Sequence, residues 1–148
     1  MGQYWIPVNL DKKEFVDPHM LGSGLKLWEQ LGTHPATGAA LVILCAAMPE
    51  SRGGGDLDRD LCEPEGYSVI AAETIGRWTG DRIALVGDYA EDSDLPEQFE
   101  ASSIYEKCRD GEYTDISILV CSVIEHELNG SYTGNGWRGF RYAGEDQA

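Results

Sequence analysis

A glycine is followed directly by an aspartate at Gly55-Asp56, Gly80-Asp81 and Gly87-Asp88. Glycine enters positive-φ turn geometry without steric cost, so each pair can bend the chain sharply and project a carboxylate from the end of an element. Trp78 and Arg82 flank the second pair, and His19 follows Asp17 across the rigid Pro18. If these turns converge, His19, Asp56, Trp78, Asp81, Arg82 and Asp88 make one candidate site for a ligand or a partner. Its chemistry would be carboxylates and a guanidinium for polar groups, an aromatic platform, and an imidazole oriented by a carboxylate as a general base. If they do not converge, the same residues are a salt-bridged turn with Trp78 in the core and a local hydrogen bond at Asp17-Pro18-His19.

Other patterns fall short of a complete motif. Arg52-Gly53-Gly54-Gly55-Asp56 lacks the lysine and hydroxyl residue of a phosphate-binding loop, and its carboxylate would repel phosphate. Asp56, Asp58 and Asp60 match the first ligands of an EF-hand, but Leu61 replaces the required glycine and Tyr67 the bidentate glutamate. Glu125-His126-Glu127 has Gly130 where a zincin's second histidine belongs, and His34 before Pro35 reads as a loop residue. Gly22-Ser23-Gly24 lacks the outer glycines of a nucleophile elbow, and Leu27 interrupts a dinucleotide fingerprint. Cys45, Cys62, Cys108 and Cys121 form no Cys-x-x-Cys pair. They are expected as reduced thiols, Cys45 buried, since Cys108, Cys121 and His126 match no standard zinc spacing. Neither a metal nor a cofactor is expected.

Charge narrows the partners. With 26 acidic against 11 basic residues, the chain carries a formal charge of -15. Such a field repels phosphate backbones and anionic lipid headgroups, and favours solubility or a basic protein partner. The longest apolar run, Ala39 to Met48, is about half of what spans a bilayer. The opening residues lack a signal peptide's basic region, so a cytoplasmic location is expected.

The elements that must position these residues follow from periodicity. At 148 residues the chain suits one domain, residues 1–148, with a long acidic glycine-rich loop near 50–66. Tyr4–Leu10 and Glu14–Val16 read as a hairpin about Asp11-Lys12-Lys13. Ser23 suits the cap of a helix carrying Leu25, Trp28 and Leu31. The apolar run Gly38–Met48 suits a buried helix closed by Pro49, and Tyr67–Ala72 is ambiguous. Thr74–Trp78 and Arg82–Val86 read as a second hairpin about Thr79-Gly80-Asp81. Glu91–Pro96 reads as an acidic loop, and Ser103–Cys108 as a short helix stopped by Asp110-Gly111. Ile116, Leu119, Val120, Val123, Ile124 and Leu128 share one helical face, with Thr114 as cap. Tyr132–Tyr142 reads as a turn and a final aromatic strand. These elements predict an α+β fold, a largely antiparallel sheet with the terminal and apolar helices packed on it.

Met1-Gly2-Gln3-Tyr4-Trp5, Val8 to Glu14, Asp17-Pro18-His19, Gly24 to Leu27, Arg52 to Asp56 and Trp78 to Ile83 are the motifs of a resemblance that covers most of the chain. Together they resemble a family of small proteins from bacteria, phages and fungi. That family carries no established activity, so the resemblance implies no role for any residue. From the residues themselves, the expected function is a soluble acidic binding or regulatory protein acting through a protein partner. The alternative is a small enzyme, or a metal-assisted ligand-binding domain, using His19, Asp56, Asp81, Arg82 and Asp88.

Overall fold

The computed structural model describes residues 3–31, 36–47 and 67–129. The expected loop near 50–66 with Asp56, the loop residue His34, Cys62 and the expected final strand lie outside the described residues.

Among the described residues a mixed four-stranded sheet and four α-helices make an α+β arrangement. The strands are β1 (Trp5–Asn9), β2 (Glu14–Phe15), β3 (Ile83–Gly87) and β4 (Thr114–Asp115), in the spatial order β3-β1-β2-β4. β1 pairs antiparallel with β2 and β3, whereas β2 pairs parallel with β4. The β1–β2 hairpin matches its sequence pattern, and its turn is closed by the Asn9 Oδ1, which accepts from Asp11 N at 2.9 Å and Lys12 N at 2.8 Å. Pro7 is tolerated inside β1 because its carbonyl still accepts from Val16 N at 3.1 Å. β2 ends before the ladder needs the N–H that proline lacks.

The second expected hairpin does not form. Thr74 is instead the last residue of helix α2 (Tyr67–Thr74), and the chain from Ile75 to Asp81 is a run of tight turns. Gly76 and Gly80 take φ of +77° and +82°, which breaks any extended run through Thr74–Trp78. β3 finds its partner in β1, with Trp5 opposite Gly87 and Asn9 opposite Ile83.

Helix α1 (Ala36–Leu44) comes from the apolar run, and its open carbonyls are met by the turn after α2. Gly76 N donates to Ile43 O at 2.9 Å, Trp78 N to Leu44 O at 2.8 Å, and Thr79 Oγ1 to Ala46 O at 2.9 Å. Helix α3 (Ala101–Asp110) starts where Asp92 accepts from Ser102 N at 3.0 Å and ends at Gly111, φ +86°. Helix α4 (Ser117–Asn129) is capped by Asp115, whose Oδ1 accepts from Ser117 N at 2.8 Å, rather than by Thr114, which stays in β4. The expected helix after Ser23 is only a 3-10 turn, Leu27–Leu31, and leaves Trp28 78% exposed.

Two apolar clusters flank the sheet. Ile6 and Val8, two apart and so on one face of β1, meet Phe15, Val86, Ile104 and Cys108 under α3. Val16, Leu44, Trp78, Val120 and Ile124 join α1, α4 and the turn after α2 into the other cluster. Ala71 and Ile75 then pack on Val123 of α4. Each fully buried aliphatic side chain contributes about 1.5–3 kcal/mol. Among the described residues no helix is long and apolar enough to cross a membrane.

Candidate functional site

Two of the sequence motifs face each other. The turn Asn9 to Glu14 lies against Arg77 to Arg82, and every contact joins opposite chemistry across more than sixty positions of chain. Asp81, placed by the open turn at Gly80, accepts from Asn9 Nδ2 at 2.8 Å and pairs with the Lys12 ammonium. Arg82 clamps Asp11, with Nη2 at 2.6 Å, Nε at 2.9 Å and its backbone N–H at 2.7 Å, and its guanidinium lies 4.7 Å from the Phe99 ring centroid. The Lys12 bond holds Asp81 below the usual carboxylate range, and the Arg82 bonds do the same for Asp11.

Beneath this clasp sits Glu14, 6% exposed. Burial alone would raise its pKa, but Arg77 donates to it from Nη2 at 2.6 Å and Trp78 from Nε1 at 3.0 Å, and the carboxyl ends below its ordinary value. Trp78 is wholly buried, so its indole is a core side chain with a satisfied N–H rather than an open platform.

Asp88 stands at the other end of β3, roughly 20 Å from Asp81 along an extended strand. There its Oδ1 accepts from Tyr4 N at 3.0 Å, and its own N–H donates to Tyr4 O at 3.0 Å. His19 belongs to this second end. The Asp17 side chain bonds the His19 backbone N–H at 3.0 Å, not its ring, and caps the 3-10 turn Pro18–Leu21. Of the expected residues, then, Trp78, Asp81 and Arg82 come together. Asp88 and His19 lie elsewhere, and Asp56 is outside the described residues.

His19 instead borders a cavity of about 430 Å³. Ile6, Phe15 and Cys108 supply its apolar floor, Tyr4 and Tyr105 its phenol rings, and Asp17, Asp115 and Arg109 its charges. Parallel pairing of β2 with β4 sets Phe15 beside Asp115, and Asp17 N donates to Ser117 Oγ at 2.7 Å, which draws the two carboxylates to one mouth. Burial, and secondarily the charge of Asp115, push the Asp17 carboxyl above its ordinary value. The Cys108 and Cys121 thiols are pushed up to about 12 by burial and stay protonated, while Cys45, expected inside, is exposed. Tyr4, Tyr105, Arg109 and Asp115 carry no linear signal as a set, since strand pairing and the packing of α3 on the sheet are what unite them. Asp17 was visible only as the neighbour of His19.

Among the described residues no group of three or more His, Cys, Asp or Glu is arranged to hold a metal ion. The chain matches no family model, no curated protein and no solved structure.

Proposed function

We propose that the protein is a soluble, cytoplasmic, single-domain binding protein that docks on a basic protein partner. The observation that supports this is the span between Arg82 and Lys107. It contains Asp88, Glu91, Asp92, Asp94, Glu97, Glu100 and Glu106 without one lysine or arginine. Much of it is held in shape. The Asp94 side chain accepts from Glu91 N at 2.9 Å, and Asp92 also takes the Ser102 hydroxyl at 2.7 Å. Side chains fixed in this way lose less freedom on binding than a mobile acidic tail would. Opposed charge also speeds encounter and rejects acidic competitors.

Capture from a lysate at low ionic strength, followed by elution with rising salt, tests the reading. A basic protein should bind, elute steeply with salt, and bind the double variant Glu97→Lys/Glu106→Lys at least tenfold more weakly. Failure to recover a basic partner, or equal capture by the double variant, overturns it.

A further inference from the structure

The clasp at Asp81-Arg82 serves the fold and the acidic span serves a surface, but the cavity beside Tyr4 and Tyr105 serves neither. Its size of about 430 Å³ lies within the range of small-ligand pockets. Its charges are lopsided. Asp17 and Asp115 line it and Asp88 bonds the backbone of the lining residue Tyr4, against Arg109 as the permanent positive charge and the imidazole of His19.

An anion would meet those carboxylates as well as the field of a chain with charge -15. A cation meets the reverse, and two carboxylates drawn to one mouth repel each other until something positive sits between them. The cation is not well matched to a bare metal, for which the described residues offer no group of three His, Cys, Asp or Glu. Aromatic rings over an apolar floor suit an organic cation, whose charge is favoured near a ring and whose body is favoured by Ile6 and Phe15.

We propose that this cavity is a binding site for an ammonium or guanidinium group carried on a short apolar body, with Asp17 and Asp115 as counter-charges and Tyr4 and Tyr105 as the aromatic walls. The site shares no residue with Glu97 and Glu106 of the partner-docking surface. The same chemistry comes from a free amine or from the lysine or arginine side chain of a peptide.

Titration calorimetry on the full chain tests it, with butylamine, tyramine and butylguanidine as free cations and N-acetyl-arginine amide and N-acetyl-lysine amide as the side-chain source. Butanol and butyrate serve as neutral and anionic controls. At least one cation should bind with a millimolar or tighter Kd, and both controls should fail. Binding confined to the capped amino acids assigns the site to a peptide side chain; binding of the free amines assigns it to a small molecule. Asp17→Asn and Asp115→Asn, which keep both capping acceptors, should each weaken binding about tenfold. Arg109→Ala, a change at an exposed position, should tighten it.

The double variant Glu97→Lys/Glu106→Lys should still bind the cation, so loss of partner docking and loss of this site are read separately. Circular dichroism checks each variant's fold, and Arg109→Ala remains decisive should an asparagine variant unfold. No binding by any cation up to about 10 mM overturns the proposal. So does affinity that the folded asparagine variants leave unchanged, or butyrate binding that Arg109→Ala abolishes.

Discussion

Glu14 and Asp17 lie within one turn of chain yet stand in opposite electrostatic positions. Glu14 is buried with a guanidinium and an indole N–H aimed at it, so removing its charge breaks the ion pair with Arg77 and leaves a weaker acceptor for Trp78. Glu14→Gln should cost about 3 kcal/mol in urea unfolding at pH 7, the scale of a broken buried pair. Because the folded pKa of Glu14 is depressed, its contribution is present above the unfolded value near 4.5 and is lost as pH falls through the folded value. The wild-type acid limb should therefore be steeper than that of the variant, and superimposable limbs would refute the assignment. Asp17 runs the other way. Its folded pKa is raised, first by burial, so ionising it costs stability as pH rises from 3.8 through the folded value. Asp17→Asn keeps an acceptor for His19 N and should melt at or above the wild-type temperature at pH 7. A clear drop would show that the charge itself holds the turn.

At the level of elements, two glycines with the same backbone sign should differ in consequence. A Cβ on Gly80 meets nothing within 4 Å, so Gly80→Ala carries only the cost of positive φ, about 1 kcal/mol. A Cβ on Gly76 would lie 2.6 Å from the Ala46 carbonyl oxygen, a backbone atom two residues beyond the end of α1. Gly76→Ala should therefore lose more than about 2 kcal/mol, since it also dislodges the turn that satisfies Ile43 and Leu44. Equal losses in chemical denaturation would mean that the turn does not dock on α1. These positions also show what sequence could reveal. The β1–β2 hairpin, α1, α3 and α4 were legible because their signals are local: a short turn, an apolar run, a glycine stop, a helical stripe. Thr74-Ile75-Gly76-Arg77-Trp78 looks like a strand by alternation, but α2 continues into it and Gly76 bends it away. The β1–β3 and β2–β4 ladders are long-range, and nothing in local periodicity names a distant partner. Trp78, Asp81 and Arg82 were recognisable as a group because they are neighbours in sequence, whereas the cavity of Tyr4, Asp17, Tyr105 and Asp115 exists only through those ladders and the packing of α3 against them.

Across the whole molecule, contact pairing and excess charge respond differently to salt. Lys12–Asp81, Arg77–Glu14, Arg82–Asp11 and Lys107–Glu100 are ion pairs, and the exposed ones contribute little because water and salt screen them. Raising ionic strength from about 0.01 to 0.15 M shortens the screening length from about 30 to 8 Å. Pairs such as Arg82–Asp11, at 2.6 Å, lie well inside both lengths and lose little. Repulsion among acidic groups spread over the surface acts at longer range, and with a net charge of -15 it is the larger quantity being screened. The melting temperature should therefore rise with sodium chloride over this interval. Glu97→Lys/Glu106→Lys, which relieves part of the excess at exposed positions, should melt higher at low salt and show a shallower slope. A melting temperature that falls as salt is added would mean that the ion pairs outweigh the repulsion. Surface charge would then be a stabilising network rather than a cost that the proposed basic partner relieves.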